Sequence, residues 1–383
     1  MTRTRLSASG LARLFGSSIA DQAMLSAANF GVGLILIRYA AEAQYGYYIL
    51  AFNTMMLLTT LQGTFIGTPM VIRLPALDEA ARRQWMGSLL RDQKWLGAAG
   101  GALALAVALA GWAMGLFDGE STLVVVAAIG LVLAALYREY LRGILLMYHR
   151  PQQVLGADAI YVAAPGRLRE IARMGFWAAS GGVIYWLFNQ GYNFLTAATL
   201  DLAAVAALAA SRLTLMPINL LLAGMQKQLT PLASVWMHGM GARRTLRRLM
   251  LFSLALALFT LLYGAVIWLL RDWIFLDLMR KDFPQRDLLL VLWIGLFVLM
   301  VIREPIMMVP LLRQRFRALS AATLVCALIA LAISYVGMLQ LGPIGAVIGI
   351  LTGEACYGLA VIVMAWREVR RDDGDAFPSY RTR

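Results

Sequence analysis

Apolar runs of roughly twenty residues or more recur along this chain, and each is long enough to cross the hydrocarbon core of a bilayer as a helix. Lipid offers the backbone no hydrogen-bond partners, so helices satisfy its polar groups internally. The chain has 383 residues, of which 61% are hydrophobic and 14% charged. A soluble domain is about half apolar and about a quarter charged. The sequence therefore predicts an all-α polytopic helical membrane protein.

Ten transmembrane helices are predicted, and the loops between them alternate in charge. The predicted spans are about 16–40, 44–72, 95–117, 121–147, 174–199, 202–225, 249–270, 288–312, 318–341 and 344–365. Every second loop is basic, and the others are acidic, balanced or neutral. All the basic loops fall on one side if both termini are cytoplasmic, which is the orientation that the positive-inside rule requires.

The net charge of +13 is concentrated in these short loops, so it indicates topology rather than a nucleic-acid partner. Cys326 and Cys356 lie inside apolar runs and predict no disulfide. His149 and His238 are far apart, so we expect no metal site. The sequence contains no P-loop, nucleophile elbow or paired-carboxylate motif, and we expect neither a cofactor nor an enzyme.

Three pairs of short landmarks recur at a nearly constant offset along the chain. They are Ala12-Arg13 with Ala172-Arg173, Thr68-Pro69 with Thr230-Pro231, and Arg138-Glu139 with Arg303-Glu304. Landmarks in the same order and at matching topological positions predict two parallel repeats, related by an axis along the membrane normal. The alternative is a chain of about ten helices with no internal repeat.

The predicted repeat also gives the domain organisation. A first lobe of about four transmembrane helices occupies residues 1–151, and a cytoplasmic connector occupies 152–173. A second lobe of about six helices occupies 174–366, and a charged cytoplasmic tail, 367–383, is expected to be disordered. Only a short, weakly apolar stretch stands in the first lobe where the second has its last two spans. The predicted arrangement is therefore four transmembrane helices in the first lobe and six in the second, reduced from six in each.

Short motifs in the first two predicted spans carry a resemblance to a known family. They are Gly16-Ser17-Ser18, Asn29-Phe30-Gly31, Ile37-Arg38-Tyr39, Gln44-Tyr45-Gly46-Tyr47-Tyr48 and Gly67-Thr68-Pro69. With the arginine-rich segment 137–151, they make the chain resemble the polysaccharide (O-antigen-type) flippases of the multidrug/oligosaccharidyl-lipid/polysaccharide exporter superfamily. Members of that family have twelve or more spans in two lobes around a central cavity. This chain departs from them by lacking about two spans after Pro151.

The resemblance implies a flippase of the bacterial plasma (inner) membrane. Its substrate would be a lipid-linked, undecaprenyl-pyrophosphate-type oligosaccharide, moved by alternating access for surface or exopolysaccharide assembly. Membrane lipids and polysaccharide polymerase or assembly proteins are the other expected partners. Two alternatives stay open. One is a cation-coupled multidrug exporter of the same superfamily, whose cavity should be net acidic. The other is a non-transporting membrane scaffold subunit of a polysaccharide-assembly complex.

Arg212 is the best single candidate for substrate binding. It lies about 16 Å along its predicted helix from the outer end, near the middle of the bilayer core. At that depth its side chain does not easily reach water, and a guanidinium can make bidentate contacts to phosphate oxygens. The alternative is a structural arginine held by an internal ion pair or by backbone carbonyls.

Other polar residues in the predicted spans complete the candidate site. The cavity candidates are Arg138, Arg142, Arg303, Asn189, Asn193, Asn29 and Gln62. The arginines would form a basic vestibule for a pyrophosphate head group, and the amides would bond to sugar hydroxyls. The alternative for both sets is contact between helices. The candidates for proton or sodium coupling are Asp21, Glu139, Glu304 and Glu354. Glu354 could instead pair with an arginine of another helix.

Overall fold

The computed structural model of the protein describes residues 27–63, 65, 77–114, 119–148 and 168–375. Its helices are α1 (Ala27–Tyr39), α2 (Glu42–Gln62), α3 (Glu79–Ala113), α4 (Gly119–Tyr148), α5 (Leu168–Thr199), α6 (Leu202–Leu213), α7 (Met216–Leu269), α8 (Arg286–Leu312), α9 (Phe316–Leu341) and α10 (Pro343–Asp375). A short π-helix, Trp273–Leu278, lies between α7 and α8. These ranges contain no strand, which confirms the all-α prediction.

Several of these helices meet the requirements of a membrane span. Five are long and apolar enough: Ala80–Ala110, Leu232–Leu269, Arg286–Leu312, Phe316–Leu341 and Pro343–Asp372. A sixth is added if the bent pair Leu202–Leu213 and Met216–Gln226 counts as one span. The helices also overlap every predicted span from 44–72 onward. The chain is therefore a polytopic helical membrane protein.

The chain divides into two compact units that do not follow the predicted lobes. The smaller unit is Leu50–Trp186, and the larger unit consists of the described residues on either side of it. The start of the chain joins the larger unit because Ile37 and Tyr45 share a hydrophobic core with Leu213 and Phe275. The lobe boundaries and the internal repeat stay predictions.

In the smaller unit, polar contacts hold α3 beside α4. The Gln93 side-chain amide donates to the Leu136 carbonyl at 2.9 Å, and the Tyr140 hydroxyl donates to the Met86 carbonyl at 2.8 Å. The Asp78 carboxylate caps the first turn of α3 by accepting from an N–H at 2.7 Å. This cap starts the helix inside the predicted basic loop 73–94, so predicting a loop there was wrong for most of its length.

In the larger unit, α8 lies at the centre of the packing. Trp293 and Phe297 of α8 are fully buried, and they share a hydrophobic core with Tyr192 of α5 and Val347 of α10. Burial of large aromatic side chains contributes strongly to the packing between helices. This shared core holds α5, α8 and α10 against one another.

The predicted span 202–225 is broken rather than continuous. The first part of α7 turns away from α6 by 56°. Pro217 stands at the start of α7, where a missing N–H is tolerated but a continuous helix is not favoured. The Thr214 hydroxyl donates to the Ser211 carbonyl, and the Tyr263 hydroxyl donates to the Thr214 carbonyl, both at 2.9 Å. These bonds satisfy backbone groups that the break releases inside an apolar environment.

Two segments predicted to lack regular structure are helical. The predicted basic loop 227–248 belongs to α7, which is interrupted only at Gly241, with φ 78° and ψ 170°. Glycine adopts this conformation without the cost that a Cβ atom brings. The predicted disordered tail is helical as far as Asp375, because α10 continues and ion pairs hold its end, among them Arg315–Glu368 at 2.9 Å.

Glycines allow α9 and α10 to approach very closely. A Cβ atom on Gly349 would lie 2.3 Å from the backbone nitrogen of Ser334 and 2.6 Å from the carbonyl oxygen of Ala330. A Cβ atom on Gly345 would lie 2.0 Å from the carbonyl carbon of Gly337. Small residues at such positions let helix backbones make van der Waals contact, which drives association within lipid.

This contact predicts opposite results for two chemically identical substitutions on α10. Gly349→Ala should destabilise the protein by about 1–3 kcal/mol, because backbone atoms cannot move aside cheaply. Gly358→Ala should be neutral or slightly stabilising, since no atom lies within 4 Å of the new Cβ. Thermal unfolding of both variants in one detergent measures the difference. Equal melting temperatures would show that the close approach does not contribute to stability.

Candidate functional site

A buried ion cluster joins α8 to α10 in the larger unit. Arg303 Nε lies 2.5 Å from Glu354 Oε1, and Arg303 Nη2 lies 2.9 Å from Glu304 Oε1. The exposed fractions of Arg303, Glu304 and Glu354 are 2%, 5% and 4%. Glu354 thus pairs with an arginine of another helix, which was the alternative interpretation of this residue. Its role in ion coupling stays a prediction. One guanidinium serves two carboxylates.

Neutral side chains from other helices complete the surroundings of the cluster. The Gln226 amide of α7 donates to the Glu304 carboxylate. The Arg303 guanidinium lies 4.7 Å from the centre of the Tyr357 ring, which in turn contacts Phe188 of α5 edge-on at 5.8 Å. Side chains from α5, α7, α8 and α10 therefore surround the ion cluster, directly or through one neighbour.

The charges in this cluster do not balance. No second cation lies within ion-pair distance of Glu304 or Glu354 in the part of the chain that the structure describes. With both carboxylates ionised, the cluster carries one excess negative charge. Burying an uncompensated charge costs several kcal/mol, so an intramembrane arrangement of this kind indicates a function rather than a gain in stability.

A narrow cleft runs beside the cluster. It contains about 320 Å³ of empty space, including its open mouth. Its walls are formed by Phe188, Asn189, Tyr192, Arg212, Trp293, Leu296, Phe297, Met300, Ile350 and Glu354. The cleft is thus mostly apolar and aromatic, with a carboxylate from the ion cluster and the guanidinium of Arg212 among its lining groups.

Arg212 is held by neutral groups only. Its Nη1 lies 3.0 Å from the Tyr192 hydroxyl, 3.4 Å from Gln190 Oε1 and 3.5 Å from the Asn189 carbonyl oxygen. The guanidinium lies 5.4 Å from the centre of the Trp293 ring. No carboxylate among the described residues pairs with it. The charge predicted near the middle of the membrane therefore lies on a cleft without a counterion.

The structure brings some of the predicted amides to this region and not others. Asn189 lines the cleft. Asn193 is buried, and its amide donates to Gln190 Oε1 at 3.2 Å. Asn29 is half-buried on α1. Gln62 lies in the smaller unit, where its amide donates to the Leu136 carbonyl at 2.7 Å, so it makes the interhelical contact that was the alternative prediction.

The other predicted charged residues lie either in the smaller unit or outside the residues that the structure describes. Arg138 is exposed on α4 of the smaller unit, and Glu139 beside it is half-buried. Asp21 and the side chain of Arg142 lie outside the described residues. Arg138 and Arg303 occupy matching positions in the predicted repeat, yet one is exposed and the other is fully enclosed.

Sequence reasoning missed the neutral partners of these charges. Gln226 lies just beyond the predicted span 202–225 and precedes Lys227, and an amide at this position can reach a carboxylate. Tyr192, Trp293 and Tyr357 lie within apolar runs, where aromatic residues are common. They could have been identified from their predicted depth in the membrane, which is close to that of a charged residue. An aromatic ring at that depth can attract a cation. Among the described residues, no group of three or more His, Cys, Asp or Glu side chains could hold a metal ion.

The arrangement of helices is similar to that of known transporters. No protein-family model and no curated protein sequence matches the chain. Among solved structures, an inward-facing multidrug resistance MATE family transporter of the MOP superfamily gives a TM-score of 0.61 at 14% identity, covering 91% of this chain and 95% of that one. A mutant MATE protein gives a TM-score of 0.52 at 14% identity, covering 95% of both chains.

These comparisons define the fold of the chain as a MATE-type helical membrane fold. At 14% identity they establish the fold alone. The superfamily of the first neighbour is the one to which the sequence motifs pointed. The narrower resemblance, to polysaccharide flippases, stays a prediction.

Because two carboxylates share one arginine, substitutions in the ion cluster should have non-additive effects on the free energy of unfolding. Arg303→Met should lower the free energy of unfolding by roughly 3–5 kcal/mol, because two buried carboxylates lose the one cation that pairs with them among the described residues. Adding Glu354→Gln to Arg303→Met should restore part of that loss, since one carboxylate becomes neutral. Denaturant unfolding in detergent micelles, with each single variant and the pair, measures the coupling. Strictly additive losses would contradict the assigned pairing.

Proposed function

We propose that this protein is a secondary transporter that exports an organic molecule by alternating access, driven by the inward movement of a proton or a sodium ion. The observation that carries the proposal is the Arg303–Glu304–Glu354 cluster, whose two carboxylates share one arginine. The MATE-type fold supports it, because the first neighbour is named a multidrug resistance transporter.

The charge excess supplies the binding energy for the coupling ion. A proton on Glu354, or a monovalent cation beside it, makes the cluster neutral and removes the cost of an unpaired charge in a medium of low dielectric constant. Glu354 is the carboxylate that receives the ion, because it lines the cleft and Glu304 does not.

Neutralisation also changes the contact between helices. Arg303 and Glu304 are neighbours on α8, whereas Glu354 lies on α10. Loss of charge on Glu354 therefore weakens the link between α8 and α10 and leaves the pair within α8 intact. An ion that binds one arrangement of these helices more tightly than another shifts the equilibrium between them, which is what alternating access requires.

The lining of the cleft favours amphiphilic substrates with aromatic or cationic groups. Phe188, Tyr192, Trp293 and Phe297 present ring surfaces. Ring faces attract organic cations, and the carboxylate of Glu354 adds to that attraction. A multidrug exporter was expected to have a net acidic cavity. The buried cluster supports this function, because it contains two carboxylates and one arginine, even though Arg212 adds one positive charge to the cleft.

Ion coupling predicts a specific transport defect. Glu354→Gln should reduce substrate efflux driven by an imposed proton or sodium gradient by at least tenfold, because the neutral amide cannot bind the coupling ion. The matched control is Asp282→Asn, which removes an exposed carboxylate from the loop between α7 and α8. Proteoliposomes loaded with a fluorescent organic cation give the measurement. Gradient-driven efflux by the Glu354→Gln variant at the wild-type rate would contradict the proposal.

A second candidate function is supported by Arg212. A guanidinium that lines a cleft without a counterion is suited to the phosphate groups of a lipid-linked oligosaccharide. The indole N–H of Trp293, beside it, has no hydrogen-bond partner within the described residues and is a second available donor. The flippase function predicted from the sequence motifs therefore remains the alternative proposal, with polysaccharide-assembly proteins as its partners.

The two functions differ in what Arg212 does. In a flippase, Arg212→Ala should abolish surface polysaccharide in a strain lacking this protein, and lipid-linked repeat units should accumulate. Arg212→Lys should restore part of the activity, since the charge is kept but the bidentate geometry is lost. Lys281→Ala, which removes a cation from a loop, is the control, with membrane expression matched. Full restoration by Arg212→Ala would exclude this role, and wild-type behaviour of both Arg212→Ala and Glu354→Gln would favour a scaffold subunit.

A further inference from the structure

The end of α10 forms a polar junction with two other helices of the larger unit. Asp372 accepts from the backbone N–H of Ala242 at 3.0 Å and pairs with Arg313. Glu368 pairs with Arg315 at 2.9 Å and with Arg371 at 3.1 Å. The contacts join α7 just after its Gly241 break, the turn between α8 and α9, and the last turns of α10. The junction fixes these three segments at one end of the helices.

Around the junction lies a surplus of positive charge. Arg244 and Arg247 of α7, Arg317 of α9, and Arg367 and Arg370 of α10 are all exposed. None of the five pairs with a carboxylate in the described part of the chain, and each lies within a few residues of a junction contact. We call these five residues the basic surface.

The basic surface lies beside exposed apolar and aromatic side chains at the ends of long apolar helix segments. Beyond Arg247 on α7, Leu251 and Leu254 are 62% and 67% exposed, as lipid-facing side chains are. Phe316 precedes Arg317, and Trp366 precedes Arg367; these aromatic side chains are 56% and 48% exposed. Aromatic and basic side chains side by side at the end of an apolar helix are typical of the head-group layer. A soluble anion or a nucleic acid does not account for the apolar neighbours.

We propose that the basic surface binds the head groups of anionic phospholipids, and that the junction at Asp372 and Glu368 holds the three helix segments so that their arginines meet one patch of the membrane. The phosphate of any phospholipid can accept from arginine, but only an anionic head group adds net attraction. Each basic residue near an anionic surface raises the affinity by roughly fivefold. The proposal does not depend on what the protein transports.

Native mass spectrometry of the purified full chain tests it. The dissociation constants of phosphatidylglycerol and of phosphatidylcholine with the same acyl chains are measured for the wild type and for two charge-matched double variants. Arg244→Gln with Arg247→Gln should weaken phosphatidylglycerol binding by tenfold or more, from roughly fivefold for each residue. Arg280→Gln with Lys281→Gln removes the same charge beyond the other end of α7 and should leave the affinity within twofold.

Three results would overturn the proposal. Equal weakening by both double variants would mean that only net charge matters. Equal affinity of the wild type for the two lipids would mean that the surface does not select anionic head groups. Displacement of phosphatidylglycerol by inorganic phosphate at similar concentrations would assign the site to a soluble anion. Thermal unfolding in phosphatidylcholine alone checks that both variants are folded. If Arg244→Gln with Arg247→Gln unfolds, the single Arg370→Gln variant on α10 replaces it, with an expected loss of roughly fivefold.

Discussion

The sharing of one guanidinium by two carboxylates is the interaction on which the larger unit depends. Arg303 fixes α8 against α10 through Glu354, and Gln226 brings α7 to the same point through Glu304. Buried ion pairs contribute little net stability, because removing the charges from water offsets their attraction. They do impose geometry, since a small displacement of either helix would leave a charge without a partner. The packing of aromatic residues around α8 supplies stability, and the cluster determines which side chains of α7, α8 and α10 meet in this arrangement.

The cleft and the cluster together relate the fold to the proposed transport cycle. Glu354 belongs to both, so an event in the cleft reaches the contact between α8 and α10 directly. Ion binding and substrate binding then compete for, or cooperate through, the same side chain. In that proposed cycle the coupling needs no long pathway of residues, because the carboxylate that would bind the ion also makes the contact between the helices. Glycines also bring the backbones of α9 and α10 into close contact beside this site.

The sequence predicts the features that depend on the free energy of moving side chains from water into lipid. Apolar runs located the helices, and the depth of Arg212 in the membrane, which was derived from helical rise, stays a prediction. Charges were less informative about where helices end. The segments 73–94 and 227–248 contain many arginines and were assigned to loops. Helix α3 nevertheless begins at Glu79, after the Asp78 cap, and α7 runs through 227–248 apart from its break at Gly241. The partner of Glu354 depends on how helices distant in sequence pack, which one chain without aligned relatives does not reveal.

The bend after α6 has an electrostatic consequence for Arg212. Because α6 ends at Leu213, Arg212 lies in the last turn of the helix, beside carbonyl groups that carry the negative end of its dipole. A dipole of this kind acts as a partial counterion that takes up no proton over the physiological range. Arg212 is therefore partly compensated by the backbone itself, whereas Arg303 is compensated by two carboxylate side chains. A continuous helix through residues 202–225 would have placed no helix end at Arg212, and the cleft would lack this fixed negative pole.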